Sequence, residues 1–384
     1  MQHQVETWQR TGIPPVLTYA LRRNSNLEAS NMPPEPAPIH GRGATLNPAN
    51  RFELLHYEPD DSCEGRDSRT TIRTQYLRDD SQSVISYNDS PDLDFDASLN
   101  PYRGCEHGCA YCYARPTHEY LGLSAGLDFE SRILVKPRAP ELLRTELMRP
   151  SWKPQCLVLS GVTDAYQPIE KKLGITRDCL RVLADFRNPA FIVTKNHLVT
   201  RDSDYLGELA GVNAAGVAIS ITTLDHQLAR LLEPRASIPS YRLEAIATLH
   251  KAGIPVGVNA APIIPGLNEH EIPNILKAAA AAGAQFSAYT IVRLPLAVAP
   301  IFVAWLETHF PDRKEKILGR IRSMRDGKLN SSNFGKRMHG DGPVAEEIRQ
   351  LFRVSCRRFF LDRGHVKLSA GAFRRISKDQ PELF

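Results

Sequence analysis

The sequence predicts an α/β fold in which helices cover a parallel sheet, arranged as an open or partial (β/α)6 barrel. Short β-type runs that are apolar throughout recur down the chain, as strands buried on both faces require. Helix-like stretches separate them, which is the order a parallel sheet needs. Six such units fall short of full eightfold closure, and no internal repeat is evident.

Each element follows from its own residues. The expected strands are Cys156–Leu159, Phe191–Thr194, Val217–Ile221, Val256–Ala260 and Tyr289–Val292, with a short sixth running into Tyr102. The expected helices are Ala139–Met148, Thr176–Phe186, Tyr205–Val212, Ser240–Ala252, Glu269–Ala282 and Val298–His309. Residues 1–60, rich in Pro, Gly and Ala without a sustained apolar period, read as a poorly ordered N-terminal extension. Residues 61–98 form a lead-in with strand-like alternation at Arg69–Leu77 and Val84–Tyr87. The barrel is expected over 99–310 and a basic helical extension with a tail over 311–384, including an amphipathic helix at Glu346–Phe360.

A chain of 384 residues, 42% apolar and 24% charged, can bury a sizeable core. Its net charge of +5 is compatible with an anionic partner but does not require one. Seven cysteines, three of them within eight residues, do not resemble a disulfide framework. No secretory signal pattern and no apolar run of membrane-spanning length is visible, so a cytoplasmic protein is expected.

The informative stretch is Asn100-Pro-Tyr-Arg-Gly-Cys105-Glu-His-Gly-Cys109-Ala-Tyr-Cys112. Thiolates are soft ligands suited to iron–sulfur clusters or zinc. Three on one loop can hold three corners of a cubic cluster and leave the fourth iron open. Gly104 and Gly108 permit the backbone angles such a loop needs. The other reading is structural zinc completed by His107 or His118, although zinc sites usually pair ligands from two separated knuckles.

Cys-x3-Cys-x2-Cys, with Tyr111 before the last cysteine, resembles the signature of the radical S-adenosylmethionine (SAM) superfamily. The resemblance implies a [4Fe–4S] cluster on Cys105, Cys109 and Cys112 and SAM bound at the open iron. It also implies reductive cleavage of SAM to a 5′-deoxyadenosyl radical, with an electron donor such as flavodoxin or ferredoxin. Thr163-Asp-Ala-Tyr-Gln-Pro-Ile-Glu170, Thr194-Lys-Asn196 and Ser220-Ile-Thr-Thr223 narrow the likeness to the spore photoproduct lyase-like branch. There it implies cofactor contacts for Tyr111, Gly161, Thr163, Lys195 and Ser220, with Asn259 at the fifth strand's end as a further candidate. One departure stands out. The branch's hydrogen-returning cysteine after the second strand is missing from Ser160-Gly-Val-Thr-Asp164, which leaves Tyr166 as a candidate hydrogen donor.

The C-terminal Gln380-Pro-Glu-Leu383-Phe384 resembles the pentapeptide that docks bacterial repair proteins on the DNA sliding clamp. Together these features lead to a radical enzyme acting on nucleic acid, with DNA as its partner and a repair-like role. Two other readings stay open: a radical enzyme for a peptide, tRNA or small metabolite, and a non-enzymatic metal-bearing nucleic-acid-binding module.

Overall fold

In the computed structural model of the chain, residues 39, 41–53, 72–159, 161–362 and 366–376 are described, all within one compact unit. Among the described residues there are ten strands: β1 Gln75–Arg78, β2 Ile85–Tyr87, β3 Ala97–Leu99, β4 Tyr102–Arg103, β5 Arg132–Val135, β6 Leu157–Leu159, β7 Ala190–Thr194, β8 Ala215–Ser220, β9 Val256–Ile263 and β10 Ser287–Ile291. Seven make one sheet in the order β10-β9-β8-β7-β6-β3-β2. Every neighbouring pair from β3 to β10 is parallel, and β2 adds antiparallel to β3. The sheet therefore carries six parallel strands, is bounded by β10 and β2, and is the expected partial (β/α)6 arrangement.

The apolar runs explain the strands. All six residues of β8 are buried, and so is the whole of β6, because helices cover the sheet. The helices Ala139–Met148, Ile175–Phe186, Ser203–Ala210, Pro239–Lys251, Ile272–Ala281 and Val298–His309 fall where the sequence placed them, within a few residues. Each buries one stripe, as Ile175–Phe186 does with Ile175, Cys179, Leu180, Leu183 and Phe186. The helix Pro343–Arg358 buries Ala345, Ile348 and Cys356.

The expected strand running into Tyr102 is two strands. Pro101 supplies no N–H to a ladder, and the chain changes sheets there. Residues 97–99 pair with β6 in the main sheet, whereas Tyr102 and Arg103 pair antiparallel with β5. A second, three-stranded sheet of order β1-β5-β4 results. Its Arg132-Ile-Leu-Val135 strand was not anticipated.

Residues 41–53 depart from the loose extension expected of 1–60, since Arg42, Gly43 and Ala44 are buried against the cysteine loop. The remainder of that extension, residues 1–38, 40 and 54–60, and the clamp-like residues Gln380, Leu383 and Phe384 lie outside the described residues. No helix among the described residues is long and apolar enough to cross a membrane.

Candidate active site

The cysteine loop leaves β4 beside the C-terminal ends of the parallel strands, where chemistry gathers in such folds. Gly104 (φ +78°) and Gly108 (φ +66°) occupy the left-handed region that glycine enters freely. A Cβ on Gly104 would stand 2.7 Å from His118 Cε1 and 2.8 Å from the Phe129 carbonyl oxygen. One on Gly108 would run into the Glu130 carboxylate.

Between these turns the backbone is tied down on every side. The Cys105 N–H donates to Phe129 O (2.9 Å) and the Ala110 N–H to Leu232 O (3.2 Å). Arg115 donates to Cys109 O from Nε (3.0 Å) and Nη2 (2.9 Å). Thr163 Oγ1 and Gln167 Nε2 donate to Gly104 O at 2.5 and 3.3 Å.

Cys105 and Cys109 are buried and Cys112 is partly so. Burial pushes all three thiols up, and the charges of Cys109 and Cys112 add to the effect on Cys105, so the three share one neighbourhood. Among the described residues no set of His, Cys, Asp and Glu side chains is gathered to hold a single metal ion. Both histidines of the zinc reading are otherwise engaged. His118 Nε2 donates to Arg132 O (2.9 Å), and burial holds its pKa down at about 4. His107 lies 3.4 Å from Asp164 through Nδ1 and 3.3 Å from Asn196 Nδ2 through Nε2. A donor set of three thiols on one glycine-hinged loop suits a cubic cluster with one corner left for a second ligand.

A feature with no sequence signal is the strap over this loop. Gly43 N and Ala44 N donate to the buried Glu130 carboxylate at 3.0 and 2.8 Å. The same carboxylate accepts from Arg115 Nη2 (2.8 Å), whose other bonds hold Cys109. Arg42 donates to Glu130 O, and Asn50 Nδ2 reaches Glu119 O (2.9 Å) and Leu123 O (3.1 Å).

Glu233 forms the second node. Its fully buried carboxylate accepts from Tyr111 Oη, from Thr222 Oγ1 (2.5 Å) and from Arg242 Nη2, with Lys195 Nζ at 3.5 Å. Burial alone would raise its pKa, but Arg242, Lys195 and the two hydroxyl donors outweigh it and hold the group at about 2. Lys195 Nζ also donates to Ala261 O (3.2 Å) and stands 5.9 Å from the centre of the Tyr111 ring. Tyr111 and Lys195, 84 positions apart by number, thus meet on one carboxylate that sequence reading did not single out.

The remaining candidates divide. Ser220 and Asn259 are register partners on β8 and β9. Arg242 Nη1 donates to Ser220 O (3.0 Å), tying this pair to the Glu233 node. Asn259 Oδ1 is buried with no hydrogen-bond partner among the described residues. Because β9 runs on to Ile263, Asn259 lies inside the strand and not at the end the sequence suggested, beside the last residue of β8. An orphaned acceptor there fits a ligand that brings a donor. Gly161 lies across the mouth, where a Cβ would stand 3.2 Å from Ser98 Oγ and the carbonyl accepts from Tyr113 Oη (2.8 Å). The Thr163 hydroxyl is spent on the cysteine loop. Tyr166 is fully buried in the core, near Asp202 and Glu170. Asp164, which accepts from Thr194 Oγ1 (2.7 Å) and Lys195 N (2.9 Å), is kept below the usual carboxylate range by His107 and these donors in spite of burial.

Residues 99–279 match the model of the Radical SAM superfamily. An uncharacterized protein of Mycobacterium tuberculosis is 35% identical over 222 residues, covering 57% of this chain and 65% of that protein. An uncharacterized protein of Methanocaldococcus jannaschii is 31% identical over 173 residues, covering 45% of this chain and 62% of that protein. The chain thus spans less than two thirds of the length of these curated relatives. Among solved structures, spore photoproduct lyase complexed with dinucleoside spore photoproduct matches with a TM-score of 0.53 at 15% identity, over 74% of this chain and 79% of that one. A mutant of that enzyme with bound AdoMet and the same dinucleoside matches with a TM-score of 0.54 at 17% identity and the same coverage. At such identities the likeness is one of fold.

Proposed function

We propose, from the match of residues 99–279 to the Radical SAM superfamily model, that Cys105, Cys109 and Cys112 hold a cluster and that the chain directs radical chemistry at nucleic acid. The family's cofactors are a [4Fe–4S] cluster and SAM. Bound here, they supply reductive cleavage of SAM to methionine and a 5′-deoxyadenosyl radical that takes hydrogen from substrate.

The protein's own residues orient and exclude. Arg115, Thr163 and Gln167 fix the cysteine loop by its carbonyl oxygens. The strap at 42–44 covers its outer side through Glu130. Glu233 holds Tyr111 and Lys195 at set positions, so the lysine charge is placed rather than mobile. Asn259 offers its free Oδ1 and Ser220 its neighbouring position to SAM.

The observation that carries the reading is the set of three neighbouring thiols on a doubly glycine-hinged loop at the strand ends. Nucleic acid as substrate is supported by the fold shared with an enzyme solved with a dinucleoside lesion. Splitting such a lesion is not part of the proposal. Gly161–Asp164 contains no cysteine, and Cys179 is fully buried in a helix. An external reductant, flavodoxin or ferredoxin in type, would supply the electron.

The test is anaerobic reconstitution followed by reduction with SAM present. Formation of 5′-deoxyadenosine, lost in the Cys105/Cys109/Cys112→Ala triple variant and stimulated by irradiated DNA, undamaged DNA or tRNA, is expected. No 5′-deoxyadenosine from cluster-loaded protein would overturn the enzyme reading. Equal turnover with and without every nucleic acid would overturn the substrate class.

A further inference from the structure

Beyond the cysteine loop the mouth carries three arginines that the chemistry above does not use. Arg325 is 2% exposed, and its guanidinium donates only to backbone, to Val292 O (2.6 Å) and Arg337 O (3.1 Å). Arg293, just past β10, donates from Nη1 to Met338 Sδ (3.5 Å). The Nε atoms of both are buried without a partner, and neither arginine is in an ion pair among the described residues. The nearby carboxylate is Asp92, already occupied by Arg337 Nε and the Gly335 N–H (2.6 Å). Burial and then Arg293 push Arg325 down to about 10, while burial and then Arg337 push Arg293 down. Several cations around one spent carboxylate form a part-buried surplus that an anion would relieve.

Aromatic faces narrow the kind of anion. Tyr113 is half exposed with the Arg293 guanidinium 5.5 Å from its ring centre. Phe334 is 59% exposed with the Arg337 guanidinium 4.6 Å from its ring centre. Alternating cations and open aromatic rings are how proteins hold single strands, with phosphates on the former and bases on the latter. A small carboxylate would leave both rings wet. Tyr113 follows Cys112 directly, and its hydroxyl is fixed on Gly161 O (2.8 Å), so a base on that ring lies at the rim of the cysteine loop. The two edges of the open sheet also meet here. The β2–β3 connection joins the 330–342 loop through Asp92 and Arg337, and that loop extends β10 through the Ile291 N–H to Met338 O (2.9 Å).

We infer that Arg293 and Arg337, with Tyr113 as a stacking face, bind a phosphodiester and its unstacked base at the rim of the cysteine loop. The inference rests on the nucleic-acid reading of the proposed function and deepens it: the substrate enters as a single strand or with its target base out of the stack.

Fluorescence anisotropy of the cluster-loaded protein tests it, with labelled DNA and RNA single strands of one sequence titrated over a salt series. Binding of at least one strand is expected, and the arm that binds identifies its source. Arg293→Ala should weaken binding about tenfold and lower the slope of log Kd against log salt by about 0.7, the value for one phosphate contact on a single strand. Arg293→Lys should restore the slope. Tyr113→Ala should weaken binding with the slope unchanged, and cluster absorbance reports that each variant is folded. Identical slopes for wild type and Arg293→Ala, or no binding of either strand, overturn the site. Strand-stimulated 5′-deoxyadenosine formation that ignores Arg293→Ala defeats this site and leaves the proposed function standing. Arg293-dependent binding without 5′-deoxyadenosine does the reverse.

Discussion

Gly43 lies against Gly108 so closely that a Cβ on Gly43 would be driven into the Gly108 carbonyl oxygen. Backbone therefore packs on backbone where the strap crosses the cysteine loop, and the strap belongs to the site although it precedes the family-matched residues. Gly43→Ala should force the two segments apart. Overpacking of this kind costs about 1–3 kcal/mol, and the bonds from Gly43 N and Ala44 N to Glu130 should go with it. Expected are a lower melting temperature and less than the full iron content after reconstitution. Full iron content with wild-type resistance of the cluster to air would show that the strap is dispensable.

What was legible in the sequence was local. Five of the six parallel strands announced themselves as short apolar runs, β6 and β8 being buried throughout, and the three cysteines because their spacing lies within one loop. The strap was not legible, because Gly43 acts through backbone proximity to a residue 65 positions away and has no apolar period to display. Glu233 was missed for a related reason. Its partners Tyr111, Lys195, Thr222 and Arg242 come from four separate stretches, and in the sequence a single Glu resembles any helix-end acid. Arg132–Val135 is a short apolar run beside a basic residue, and its pairing with β1 and β4 is what makes it a strand.

Glu233→Gln should be costly. It leaves Arg242 buried, and Lys195 largely so, without their carboxylate, and breaking a buried pair from one side typically costs about 3–5 kcal/mol. The pH dependence follows with its sign. The folded-state pKa of about 2 lies below the ordinary 4.5, so the unfolded chain takes up the proton first on acidification. The stabilisation is full above pH 4.5 and is lost as pH falls towards 2. Chemical denaturation of the apo chain across that range should show wild type losing stability more steeply than Glu233→Gln. Parallel curves would remove Glu233 from its role as the charged node.

Asn259 separates a ligand contact from a structural polar group. Its Oδ1 is buried without a partner, and an unsatisfied buried acceptor costs the fold about 1–3 kcal/mol. Asn259→Leu, similar in size, should therefore melt no lower than wild type. If the oxygen is kept for a donor on SAM, the same change should weaken SAM binding by roughly tenfold, about 1.4 kcal/mol. Equilibrium binding of SAM to cluster-loaded wild type and variant measures one effect, and thermal denaturation of the apo forms measures the other. A variant that is less stable and binds SAM as tightly as wild type would assign Asn259 to the scaffold. Opposite movement of the two readouts is the signature of a group whose partner arrives with the cofactor.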